Sequence, residues 1–158
     1  MKRIFTAALA AALLAGAPAM AADWPAGQTV VSGADVVSAY AGADHFTGRV
    51  RMESLFPAAG DFQAYGARVT FEPGARTHWH IHPAGQVLIV TDGAGYTQEW
   101  GRPAVRLRPG DVVRCPPGVK HWHGAGSKTA MTHIAISETG SAPVVWLEPV
   151  EDSEYPKD

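Results

Sequence analysis

From Phe46 onward, apolar and polar residues alternate in short bursts that are cut at close intervals by glycine and proline. A period of two places successive side chains on opposite faces of an extended chain, so these bursts read as half-buried strands. The pattern predicts strands over 48–52, 67–71, 86–91, 96–100, 104–107, 111–115, 130–137 and 144–147. Asp92-Gly93 and Pro109-Gly110-Asp111 supply turn chemistry between them. No useful helical period follows Gly48, and only 34–41 offers one helical turn or two ahead of Gly42. Residues 148–158 are polar and are expected at the surface. Eight or so short strands joined by close turns predict an all-β single domain, a sandwich or barrel of two antiparallel sheets.

The first residues follow a different pattern. Lys2 and Arg3 precede an apolar run from Ile4 to Ala15, and Ala19-Met20-Ala21 has the small-x-small form of a cleavage site. This three-part layout predicts a cleaved signal peptide over 1–21 and a periplasmic or secreted protein. The run is broken by Gly16 and Pro18 and is shorter than the roughly 18–20 residues that span a bilayer, so no membrane anchor is expected after cleavage. Loss of Lys2 and Arg3 takes the basic side chains from 13 to 11 against 15 acidic ones, all scattered along the chain. That distribution gives no electrostatic footprint for nucleic acid. The single cysteine, Cys115, excludes an intramolecular disulfide.

The chemistry is concentrated in histidine. Six of the seven histidines lie between His78 and His133. In the stretch Thr77-His78-Trp79-His80-Ile81-His82-Pro83, alternation would turn His78, His80 and His82 inward, with Trp79 and Ile81 facing the other way. Gln86 follows closely enough to return to the same site after a bend at Pro83 and Gly85. In Pro116-Pro117-Gly118-Val119-Lys120-His121-Trp122-His123, the same alternation gives His121 and His123 a common face. Imidazole nitrogens with a side-chain oxygen suit Mn, Fe, Ni, Cu or Zn, so one divalent ion is the cofactor expected. An amide ligand, unlike a carboxylate, brings no charge, so it leaves the ion a stronger Lewis acid and weighs mildly against oxygen activation.

Two spacings resemble the motifs of the cupin superfamily. Gly74, His80-x-His82 and Gly93 fit the first, with Gln86 where a glutamate is usual, and Gly110, Pro116-x-Gly118 and His121 fit the second. The resemblance implies a jelly-roll barrel with a metal held near one mouth by His80, His82, Gln86 and His121. Several stretches are similar to the bacterial manganese-dependent hydroxynitrile lyases in particular. They include Phe46 to Arg51, Val69 to Thr77, His80 to Gln86, Leu88 to Thr91, Pro109 to Val113, His121 to Ala125 and Thr129 to Ile136. Members of that group cleave cyanohydrins such as mandelonitrile to an aldehyde and cyanide, or run the reverse, with manganese as the ion. The resemblance implies that the metal lowers the pKa of the substrate hydroxyl and that His133 takes its proton. In the strand 130–137, His133 shares a face with Met131, Ala135 and Ser137, which leaves space for a ligand. By analogy Ala67 and Val69 shape a small-molecule pocket, together with His78, His123 and Ser137.

The chain departs from that group in its export signal and in His78, which reads as a second base, a fifth ligand or a surface group. His45 reads as structural. The expected organisation is a signal peptide over 1–21, an extension over 22–44, a cupin domain over 45–150 and a tail over 151–158, with pairing of copies into a dimer or tetramer through the sheets. Two other functions fit the same motifs: a quercetinase-type dioxygenase, and a non-catalytic periplasmic protein that binds a metal or small ligand.

Overall fold

The computed structural model describes residues 27–140 and 142–157, so the expected signal peptide lies outside the described residues. Among the described residues thirteen strands run in the order β1 (Ser38–Tyr40), β2 (Phe46–Thr47), β3 (Val50–Phe56), β4 (Ala64–Phe71), β5 (Arg76–Thr77), β6 (His80–Ile81), β7 (Gln86–Gly93), β8 (Gly95–Glu99), β9 (Val105–Leu107), β10 (Val112–Cys115), β11 (Lys120–Ala125), β12 (Met131–Glu138) and β13 (Val145–Trp146). One antiparallel sheet has the order β1-β3-β4-β12-β7-β10, and the other is built around β11, with β13, β6, β5 and β2 to one side and β8 and β9 to the other. The all-β expectation is met. Among the described residues no helix is long and apolar enough to cross a membrane.

The period-two pattern explains the first sheet. On β12, Met131, His133, Ala135 and Ser137 are buried, while the residues between them are half-buried on the other face. Their partners on β4 and β7 turn the same way, which stacks Val69 and Val90 beside His133, and Ala67 and Leu88 beside Ala135. Ala67, Val69 and Val90 join Val50, Phe71 and Met131 in the core between the sheets. A bulge at Thr132/His133 shifts the register at the end of β7. Gly93 takes φ +74° there, and a Cβ on it would stand 1.9 Å from the Ala130 carbonyl oxygen, so only glycine fits.

Sequence pattern failed where strands are very short. The strands β2, β5 and β6 have two residues each, too few to show a period. The segment 34–41 is not a helix: a 3-10 turn at Gly33–Asp35 leads into β1 on the sheet edge. The polar tail also departs from expectation. Val150 is 2% exposed and Tyr155 8%, and both pack against Trp79 and Trp122 on the outward face of the second sheet. The two tryptophans are large apolar groups on the face away from the site, and the tail removes them from water. Arg76, itself buried, donates from Nη2 to the Val150 carbonyl at 2.8 Å and to Asp152 at 2.6 Å, and the Tyr155 hydroxyl donates to the Ala125 carbonyl at 2.6 Å.

The Tyr155 hydroxyl therefore satisfies a buried carbonyl of β11, the strand that carries His121 and His123. Tyr155→Phe is expected to lower stability by about 1–2 kcal/mol, read from the urea midpoint at unchanged slope. An unchanged midpoint would show that the tail is not anchored there.

Candidate metal centre

Both sheets contribute to the site. His80 on β6 and His121 on β11 are direct cross-strand partners, and Trp146 of β13 flanks His80 from the other side. The Nδ1 of His80 donates to the His78 carbonyl at 2.9 Å, and the Nδ1 of His121 donates to the Val119 carbonyl at 2.9 Å. Each ring thus spends its Nδ1 proton on the carbonyl two residues back, which leaves Nε2 as an unprotonated lone pair. His82 lies just past the end of β6. Ligand atoms of His80, His82 and His121 all fall within 4.8 Å of one another, and all three residues are buried. These three histidines could hold a metal ion.

Gln86 opens β7 in the first sheet and reaches the same place. Pro83 to Gly85 reverse the chain, and Gly85 takes φ +94° with its backbone close to the Cys115 carbonyl. The Gln86 side-chain oxygen lies 3.3 Å from Nε2 of His121. Both atoms are acceptors, so this approach is not a hydrogen bond within the protein. The spacing of these two atoms is one that a single cation between them would fit. Three imidazoles and an amide oxygen in this arrangement fit a divalent ion.

Burial keeps the imidazoles neutral, and neutral imidazole is the form that ligates. It pushes His82 down to about 3, with the charge of His121 adding to the effect, and holds His80 well below the usual range, again with His121 and His82 contributing. Burial alone lowers His121.

The second histidine pair lies deeper. His123, two residues beyond His121 on the same face of β11, has its Nδ1 3.1 Å from Nε2 of His133 on β12. Both rings are fully buried, and Phe71 packs against each at ring-centre distances of 5.7 and 5.5 Å. Burial pushes His133 down to about 4 and His123 well below the usual range. One proton occupies the shared hydrogen bond. The outer nitrogens, Nε2 of His123 and Nδ1 of His133, meet no hydrogen-bond partner among the described residues. Neutral rings leave one of these as a donor and the other as an acceptor.

The remaining expected residues are placed as follows. Ala67 and Val69 face inward on β4, paired with Ala135 and His133. Ser137 accepts a hydrogen bond from the Gln86 amide nitrogen at 3.3 Å. His78 falls in the gap between β5 and β6, so the continuous alternation expected over 77–83 is broken. Its ring bonds the Asp44 carbonyl, its backbone N–H donates to His45, and it stands outside the three-histidine group. His45 stacks on Trp146 at 4.4 Å. Sequence reasoning passed over Tyr65, which continues the inward face of β4 and lies opposite Ser137. A strand drawn two residues longer would have found it. Beside the site a cavity of about 370 Å³ opens between β8–β9 and β10, lined in part by Val105, Val113, Cys115, Val119 and His121.

The depressed imidazoles link stability to pH. Unfolded histidine titrates near 6.5, whereas His133 and His82 stay neutral in the fold down to about 4 and about 3. Between those values the unfolded chain binds more protons, so stability is complete above pH 6.5 and declines as the pH falls toward 4. Calorimetry of the metal-free protein should show the melting temperature dropping through this window; a flat profile would contradict neutral burial.

Comparison with known proteins agrees with this architecture. Residues 67–137 match the family model described as a cupin domain. An (R)-mandelonitrile lyase of Granulicella tundricola is 54% identical over 114 residues, covering 72% of this chain and 87% of that protein. The crystal structure of a cupin-like protein from Thermotoga maritima is 48% identical with a TM-score of 0.71, over 73% of this chain and 89% of that one. The polyketide cyclase RemF of Streptomyces resistomycificus, at 16% identity and a TM-score of 0.67 over 79% of this chain and 89% of that one, shares the fold alone. A buried three-histidine group between two antiparallel sheets, the matched domain and relatives of this identity lead to one conclusion: the chain belongs to the cupin family.

Proposed function

We propose that this cupin is a metal-dependent lyase that cleaves a cyanohydrin of the mandelonitrile type to an aldehyde and hydrogen cyanide. The observation that carries the reading is the neutral His123–His133 pair beside the three-histidine group, with an outer nitrogen at each end that none of the described residues satisfies. A divalent ion held by His80, His82, Gln86 and His121, for which the resemblance favours manganese, supplies Lewis-acid polarisation of the substrate hydroxyl. The cleavage removes the hydroxyl proton, forms the carbonyl, and breaks the carbon–carbon bond with its electron pair leaving as cyanide, which takes up a proton. His133 is the base in this scheme, and His123 shares the proton across their hydrogen bond. A pair that hands a proton on does not accumulate a buried imidazolium, which suits two rings whose burial disfavours charge. Phe71, Val69 and Ala67 form an apolar wall beside the pair, and their bulk would limit the substrate's side chain. The relative named as a mandelonitrile lyase supports the substrate class. The signal-like pattern over 1–21 supports an exported site of action.

Cyanide release from mandelonitrile by metal-loaded protein tests this directly. His80→Ala should abolish it together with metal content. His133→Asn should keep the metal and lower kcat/KM by about 10²–10⁴-fold, the range for loss of a general base. Wild-type protein that is fully loaded with manganese and releases no cyanide would overturn the reading.

A further inference from the structure

A glutamine ligand carries a problem that a glutamate ligand does not. A carboxylate presents an oxygen whichever way it turns, whereas the amide of Gln86 ends in one oxygen that can ligate a cation and one NH2 group that cannot. Rotation by half a turn would aim two N–H bonds at the ion. A site that uses Gln86 must therefore fix the amide, and the groups available to do so lie in the row of inward-facing residues that crosses the first sheet at its position.

In that row Ser137 of β12 stands between two cross-strand partners, Gln86 of β7 and Tyr65 of β4. Ser137 is 2% exposed, and its Oγ accepts from the Gln86 amide nitrogen at 3.3 Å, while the amide oxygen faces Nε2 of His121. Its hydroxyl is also hydrogen-bonded to the Tyr65 phenol. A serine hydroxyl has one proton. With that proton directed to Tyr65, the oxygen is left as an acceptor for the amide NH2 and offers nothing to a reversed amide oxygen. We propose that Ser137, held by Tyr65, is the positioning residue that locks the Gln86 amide with its oxygen toward the metal histidines. The inference rests on Gln86 being a ligand, as in the reading above, and not on which reaction the protein catalyses. It moves Ser137 from the substrate pocket to the support of the metal.

A double-variant cycle on metal affinity tests it, with Zn2+ as the probe and competition against a fluorescent chelator as the readout. Ser137→Ala should weaken Zn2+ binding about tenfold, as expected when a group that orients a ligand is lost. In a Gln86→Glu background the same substitution should change affinity by less than about twofold, because a carboxylate needs no orientation. Equal losses in the two backgrounds would mark Ser137 as a general packing residue and overturn the proposal, as would no loss in the glutamine background. Gln86→Ala separates the two layers of the argument. If it leaves Zn2+ affinity unchanged, or if the wild-type protein does not bind Zn2+, the ligand reading fails and the proposal fails with it. If Gln86→Ala weakens binding and Ser137→Ala does not, only the proposal fails.

Discussion

Five imidazoles gathered inside one small barrel must all remain uncharged, and the site is organised around that demand. His80, His82, His121, His123 and His133 are each buried, and each is shifted toward neutrality by burial, with neighbouring rings adding to it for His80, His82 and His123. A buried neutral imidazole still has one N–H and one lone pair to satisfy. For His80 and His121 the backbone settles the matter in the same way, since each Nδ1 donates to the carbonyl two residues back and each Nε2 is freed to face inward. The tautomer that would suit a metal is thus set by strand geometry alone.

The two sheets divide the remaining tasks. The second sheet supplies the three histidines from β6, β11 and the turn after β6. The first sheet supplies Gln86, Ser137 and His133 from adjacent strands, where register decides who meets whom. The ligand group and the histidine pair touch through His123, whose ring centre lies 5.3 Å from that of His80 and 4.8 Å from that of His133. Phe71 closes the apolar side of the pair. Trp146 backs His80 at 4.8 Å and also stacks on His45 and packs against Phe46. Aromatic packing therefore holds these rings where hydrogen bonds alone would leave them free to rotate.

Much of this was legible because spacing in a strand is geometry. The pairs His80/His82 and His121/His123 could be read from their separation by two, and so could the shared face of Met131, His133, Ala135 and Ser137. Legibility ended where the chain leaves regular strand. His78 sits at the same spacing from His80 as His82 does, yet the break between β5 and β6 turns its ring to Asp44. The tail reads as polar because its apolar anchors are few, and Val150 and Tyr155 are buried only because Trp79 and Trp122 wait on the outward face of the second sheet.

The amino-acid sequence by itself determined the all-β architecture, the grouping of His80, His82 and His121 and the position of the amide at Gln86, since these follow from local alternation and from turns that glycine and proline favour. Only the tertiary structure decided that His123 bonds His133, that Ser137 stands between Gln86 and Tyr65, and that His78 is left aside. Those relations join residues 10, 51 and more positions apart across strands whose register is set by the packing of the whole sheet. Local pattern says which way a side chain faces; which other side chain it meets there depends on where every neighbouring strand has come to rest.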